Sequence, residues 1–419
     1  MNRWMRLAAA VVGMIMISNL QYAWTMFVDP MKTATGWKLS DLQWGFSIFI
    51  AVMTWAMPLS GWIIDRMGPR VFMTMAGVLC AVGWCALGYV TSLPMFYIMF
   101  AVAGLGNCFT YCCCTALGLK WFPDKRGVAS GLIAAGYGAG AAFFNPFFAS
   151  FIKSAGYQST FLYSGIVLGI MIILAGQFLK YPEQGFLPTP AHAAGKKVVH
   201  ARQTEQFSSS EMLRTPQFYF MYAMMLAVGI GGLMLTAQAA PLAKSFGIPA
   251  AALALSLFMN PLGNGGGRIG WGWVSDSLGR ERTMAIAFGL HALALMGVLT
   301  LGRTSGTWFV ITMVLAFFTW GELYVLFPAV LTERFGAKNA ASNYSFLYST
   351  KGVAAIIGGA LAAKLFESTG TWDTAFYFSA TLALAASGCA LILLRIPLPK
   401  KEASSKAAPS LDVAAEAGK

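Results

Sequence analysis

Apolar runs of about twenty residues recur from one end of this chain to the other. Each is long enough to cross a ~30 Å hydrocarbon core. Inside a bilayer every backbone polar group must bond within its own segment or a closed barrel, and runs of this length do so as helices. We place twelve spans at roughly 7–28, 42–64, 71–90, 95–119, 128–152, 159–180, 217–243, 252–275, 283–301, 307–331, 340–366 and 373–396. Apolar residues make up 57% and charged residues 11%, whereas soluble domains are about a quarter charged. The expectation is an all-α membrane protein with the lipid bilayer as its solvent.

The basic residues sort by side. Loops on one side of the expected spans hold 21 of the 29 lysines and arginines, and the opposite loops hold six, namely Lys32, Lys38, Lys153, Lys244, Arg303 and Lys364. By the positive-inside rule both termini are cytoplasmic, in a cytoplasmic (inner) membrane. The net charge of +13 is thus a topology signal and does not point to nucleic acid. The N-terminus, Met1-Asn2-Arg3-Trp4, starts like a signal sequence but runs on without a small-x-small cleavage site, so it reads as a retained first helix. The seven cysteines all lie in apolar runs and read as small buried hydrophobes. No ligand spacing for a metal, nucleotide-binding loop or catalytic triad is present, so no cofactor and no enzyme activity is expected.

A polar segment at 181–216 splits the spans six and six. It divides the chain into an N-terminal bundle (1–180), a cytoplasmic linker (181–216), a C-terminal bundle (217–396) and a cytoplasmic tail (397–419). The halves repeat. Gly61-Trp62-Ile63-Ile64-Asp65-Arg66-Met67-Gly68-Pro69-Arg70 is echoed by Gly272-Trp273-Val274-Ser275-Asp276-Ser277-Leu278-Gly279-Arg280-Glu281. Parallel six-helix repeats are an internal symmetry of alternating-access transporters. The short, glycine-bearing loop lets two helices turn sharply. Asp65, Arg66 and Asp276 are candidates for gating contacts as well as for plain turn stabilisation. This loop, its second copy and the six-plus-six layout resemble the major facilitator superfamily across essentially the whole chain. The resemblance implies twelve transmembrane helices in two six-helix repeats.

Two cations lie at membrane depth, Arg268 and Lys351. On insertion scales each costs about 2.5–3.5 kcal/mol at a helix centre, so such charges face a cavity or a partner. Of the sixteen acids only Glu322 falls mid-span. It can pair with one cation at most. The other reading is that the two cations bind an anion, one with two carboxylates or two negative oxygens. Asn264 stands one turn from Arg268 in a stretch softened by Pro261 and glycines. Trp320 and Tyr324 share a helix face, and Glu322 lies about 200° from Trp320. Glu322 then meets a neighbouring helix or carries a proton. Gln21, Tyr22, Asn107, Tyr111, Tyr137, Tyr344 and Tyr348 are polar or aromatic groups inside spans, able to orient a carboxylate or to bond between helices. His291 reads as structural.

Several motifs are more specific. Gln21-Tyr22-Ala23-Trp24, Trp121-Phe122-Pro123-Asp124-Lys125-Arg126-Gly127, Glu211-Met212-Leu213-Arg214-Thr215-Pro216-Gln217-Phe218, Phe318-Thr319-Trp320-Gly321 and Asn343-Tyr344 are similar to the oxalate:formate antiporter family. That resemblance implies that Arg268 and Lys351 hold the oxalate dianion, with Gln21, Tyr22, Tyr137, Trp320 and Tyr324 around it. A family member has tryptophan where Tyr348 stands and glycine where Glu322 stands. The expectation is a monomeric secondary transporter exchanging oxalate for formate. Two other readings stay open. One is a proton-coupled monocarboxylate symporter using Glu322, and the other is a non-transporting membrane sensor of the same fold.

Overall fold

A computed structural model describes residues 2–122, 126–182, 205–336 and 338–400. The 123–125 part of the Trp121–Gly127 motif, most of the expected linker, the tail beyond 400 and the side chain of Asp65 lie outside the described residues. The N-terminal half comprises α1 (Arg3–Tyr22), α2 (Trp24–Thr35), α3 (Leu39–Trp55), α4 (Met57–Met67), α5 (Pro69–Ala86), α6 (Leu93–Trp121), α7 (Arg126–Ala139), a 3-10 turn (Gly140–Phe143) and α8 (Asn145–Gln177). After α9 (Ser209–Met212) the C-terminal half comprises α10 (Pro216–Ser245), α11 (Ala250–Leu278), α12 (Arg280–Thr300), α13 (Gly306–Trp320) and α14 (Leu323–Phe335). It continues with α15 (Ala340–Tyr348), α16 (Thr350–Ala355), a π-helical turn (Ile356–Leu361), α17 (Ala362–Thr369) and α18 (Asp373–Leu393).

Nine helical stretches among the described residues are long and apolar enough to cross a membrane. One of them, Gly131–Gln177, is 47 residues long and turns at Gly156 (φ 82°, ψ 165°), which makes it two crossings. The broken pair α3–α4 and the glycine-rich α11 complete the order of spans expected from the sequence. The repeated loop repeats in backbone as well. Gly68 (φ 75°, ψ 159°) and Gly279 (φ 88°, ψ 156°) both adopt a conformation that a Cβ opposes, and each separates two helices by a single residue.

Several expected spans are two helices rather than one. α1 and α2 meet at Ala23, α3 and α4 at Ala56, α13 and α14 at Gly321-Glu322, and α15 and α16 at Ser349. Local chemistry accounts for three of these. Pro58, near the start of α4, has no N–H for the preceding turn. The Phe318 carbonyl accepts the Trp271 indole N–H at 3.2 Å, outside the helix ladder. Ser349 Oγ donates to the Phe346 carbonyl at 2.6 Å, a side-chain bond that competes with the helix.

Packing is close where residues are small, as in membrane bundles generally. A Cβ on Gly83 would lie 2.5 Å from the Ala103 backbone nitrogen, and one on Gly106 would lie 2.6 Å from that of Cys80. These contacts press α5 onto α6. The two halves are joined on the face where α2 ends and α3 begins. There Ser40 Oγ donates to Glu367 at 2.7 Å, Gln43 Nε2 to the Ala237 carbonyl at 2.8 Å, and Lys244 pairs with Asp29 at 3.5 Å. Farther along the same helix pair, Trp55 Nε1 donates to the Ser349 carbonyl at 3.1 Å.

The described end of the linker docks on the C-terminal half. Asn343 and Asn339 donate to the Phe207 carbonyl at 3.2 and 2.8 Å, and the Phe207 ring meets Phe335 edge-on. This gives Asn343, singled out by motif, a role in fastening that segment.

Candidate substrate-binding site

Arg268 and Lys351 come together between the halves, 4% and 3% exposed. Both lie over the same two rings. The Arg268 guanidinium is 4.7 Å from the Tyr324 centroid and 6.0 Å from that of Tyr137, and Lys351 Nζ is 5.5 and 5.2 Å from them. Lys351 Nζ is also 5.5 Å from the Tyr348 centroid. Ring faces attract a cation through the π quadrupole without cancelling its charge.

Neutral acceptors complete the cage. Lys351 Nζ donates to Gln21 Oε1 at 2.8 Å, and the Tyr137 hydroxyl donates to the same oxygen at 2.7 Å. Arg268 Nη1 donates to the Ala134 carbonyl at 2.9 Å and Nε to Asn264 Oδ1 at 3.3 Å. Tyr22 donates to Asn264 Oδ1 as well, at 3.3 Å. Among the described residues neither cation enters an ion pair. The site therefore sets two basic side chains among neutral partners in a water-poor setting, where a charged pair attracts an anion far more strongly than in bulk solvent.

The helix breaks position this set. Gln21 and Tyr22 end α1, Tyr137 stands just before the 3-10 turn, Trp320 and Tyr324 flank the α13–α14 turn, and Tyr348 and Lys351 flank Ser349. Arg268 is the exception. Its helix is continuous and approaches the N-terminal half through glycine. A Cβ on Gly138 would meet Asn264 Oδ1 at 3.0 Å and Arg268 Nε at 3.1 Å. Trp320 is wholly buried against Gly232, where a Cβ would lie 2.2 Å from the ring.

Aromatic contacts link the remaining residues. Tyr22 meets Tyr137, Tyr111 stacks on Tyr348, Tyr324 meets Tyr348 and Trp320, and Tyr344 meets Tyr348. Within this cluster, among the described residues, Gln21 Nε2, Trp320 Nε1 and the Tyr344 hydroxyl are buried donors without a partner. The sequence-selected residues Gln21, Tyr22, Tyr137, Arg268, Trp320, Tyr324, Tyr348 and Lys351 are thus one connected group.

Glu322 does not join them. It is wholly buried, and neither carboxylate oxygen has a partner, so the pairing with a cation weighed from the sequence is not formed. Asp276, with its side chain 69% exposed, pairs with Arg280 at 2.8 Å one turn on, inside its own half. Arg280 also reaches Glu333 at 3.3 Å. Arg66 is exposed. His291 Nδ1 meets Thr319 Oγ1 at 3.1 Å, the partner that the sequence did not reveal.

Other polar residues were missed. Gln43 joins Gln238 at 3.2 Å and Trp24 at 3.2 Å, and Gln238 donates to the Gly359 carbonyl at 2.9 Å. Arg334 and Glu281, both between expected spans, form a buried pair at 3.1 Å. Lone glutamines in apolar runs were the available signal for the first group. The second lies at expected span ends, where sequence boundaries are least certain.

A bundle of membrane-crossing helices around an enclosed pair of cations is the architecture of a multi-pass membrane protein. The chain belongs to the Major Facilitator Superfamily, whose family model matches residues 9–350. It is 37% identical over 402 residues to the oxalate:formate antiporter of Oxalobacter formigenes, covering 96% of this chain and 94% of that one. More distantly, it is 24% identical to the apicoplast pyruvate carrier 1 of Toxoplasma gondii, over 88% of this chain and 77% of the relative. It is 21% identical to monocarboxylate transporter 13 of Rattus norvegicus, over 94% and 89%.

Proposed function

We propose that this protein exchanges oxalate for formate across the cytoplasmic membrane by alternating access of one site between two six-helix bundles. The observation that carries the reading is the shared cage of Arg268 and Lys351, two buried cations whose partners are neutral. Oxalate matches it chemically, being a flat dianion with one carboxylate for each cation. Arg268 presents a planar fork suited to two carboxylate oxygens, and Lys351 a compact point charge. Tyr137 and Tyr324 grip the faces of the substrate. The unpartnered donors Gln21 Nε2, Trp320 Nε1 and Tyr344 Oη are available to its oxygens. The similarity to the Oxalobacter antiporter supports the same substrate pair.

The charge also supplies a reason for exchange. Closing the site around two like charges is costly at low dielectric, and an anion removes the cost. The site therefore changes sides with an anion in it. A dianion traded for a monoanion moves one net charge, which is worth about 2.3 kcal/mol per 100 mV. Formate-loaded proteoliposomes should take up labelled oxalate with no pH gradient. Uptake that needs an inward proton gradient and no internal anion would defeat this reading.

A further inference from the structure

One buried ionisable side chain is not used by the anion cage. Glu322 is 0% exposed, and both its oxygens lack a hydrogen-bond partner. It stands on the turn between α13 and α14. The backbone keeps helical angles there (Gly321 φ −60°, ψ −26°; Glu322 φ −63°, ψ −29°), so directions can be read at 100° per residue. Glu322 then points about 160° from Tyr324 and about 60° from Thr319. Tyr324 faces the cations, and Thr319 faces His291 on α12. The carboxyl group is on the far side of the helix from the cage.

The elements packed on this turn bring few ionisable groups to it. α11 brings Arg268, α12 brings His291, and α15 brings Tyr344 and Tyr348, while α10 presents Gly231 and Gly232. None of them bonds to the Glu322 carboxyl group, and no cation pairs with it among the described residues. A wholly buried carboxylate with no cation, and with no donor beyond the backbone N–H groups of its own turn, is the costly form, and the neutral acid fits better. Its neighbour Gly321 is pressed against the other side of the site. A Cβ there would lie 2.4 Å from the Asn264 carbonyl oxygen and 3.2 Å from the backbone nitrogen of Arg268, so the turn packs on the α11 backbone. The turn that carries Glu322 is therefore also the wall behind Arg268.

We infer that Glu322 is a proton-binding site, separate from the substrate site, which holds the α13–α14 turn against Arg268 while protonated and releases it when ionised. An ionised Glu322 seeks water, and the turn moves with it. Trp320 and Tyr324 flank that turn, so the proton sets whether the aromatic wall of the cage is assembled. The transport readout rests on the oxalate–formate reading, whereas the stability and infrared readouts need no substrate.

The test uses the purified full-length protein between about pH 6 and about pH 8, where simple carboxylates such as the substrates stay ionised. On this proposal ionisation of Glu322 frees the turn and loosens the packing around it. Thermal stability of the wild type should therefore fall as pH rises. Glu322→Gln, which mimics the neutral acid, should give a flatter profile. Oxalate–formate exchange by the wild type should fall roughly tenfold per pH unit once the site empties, and exchange by Glu322→Gln should not. Equal pH slopes in the two proteins would overturn the proposal, as would a profile flattened by His291→Gln instead. If Glu322→Gln does not fold, the wild type alone decides. A protonated-carboxyl infrared band should persist at neutral pH, and its absence sinks the idea.

Discussion

Arg268 and Glu322 are buried in the same half, on helices that touch, yet their surroundings differ completely. Arg268 has an amide, a carbonyl and two ring faces around it. Glu322 has no partner for either oxygen. Neutral acceptors and ring faces let a buried charge persist without being cancelled, which is what an anion site needs. A buried carboxyl group with no cation and no side-chain donor favours its neutral form instead. The α13–α14 turn thus separates a region that keeps charge from one that suppresses it.

The strongest way to break this comparison is to remove a charge from the cage. Lys351→Gln should lower oxalate uptake into formate-loaded vesicles by ~100-fold or more, since losing one member of a buried charge contact costs about 3 kcal/mol or above. The protein should still insert and purify as a single species. Uptake close to the wild-type rate would take Lys351 out of the site.

A finer test keeps the charge and changes its shape. Arg268→Lys retains a cation but loses the planar fork, along with the bonds to Ala134 and Asn264. Oxalate exchange should fall about tenfold, the worth of a good charge-assisted bond. Formate–formate exchange should fall less, because one carboxylate can stay on Lys351. Equal losses for both anions would mean that Arg268 shapes the pocket without reading the dianion.

Much of this contrast was legible in residue types. The spans follow from apolar run length, and the two cations stand out because so little else in those runs is charged. The repeated loop predicted a sharp turn, and Gly68 and Gly279 make it with matching angles. Helical spacing likewise turns Glu322 away from Trp320 and Tyr324. The partners of Arg268 were not legible. Ala134 contributes a backbone carbonyl, which every residue has, so no residue type announces it. The breaks were hidden for a similar reason. The break at Ser349 comes with a serine bonded to its own helix, which looks like any serine in a span. The gap between Gln43 and Gln238 in sequence likewise gives no hint that the two amides meet.

The smallest expected effect tests whether the cage is tuned by neutral groups at all. The Tyr137 hydroxyl and Lys351 Nζ share one acceptor, Gln21 Oε1. Tyr137→Phe removes the hydroxyl and keeps the ring beneath both cations. Gln21 then loses one of the two bonds that orient its amide, a loss of about 1 kcal/mol for a neutral hydrogen bond. Exchange should slow by roughly fivefold, with the loss mainly in apparent affinity, because the unpartnered Gln21 Nε2 is no longer aimed. Tyr137→Leu removes the ring as well and should cost distinctly more. If the two variants slow exchange equally, the hydroxyl is the whole contribution of Tyr137 and its ring face does not help to hold the cations. If Tyr137→Phe is silent, the amide of Gln21 is positioned by Lys351 alone.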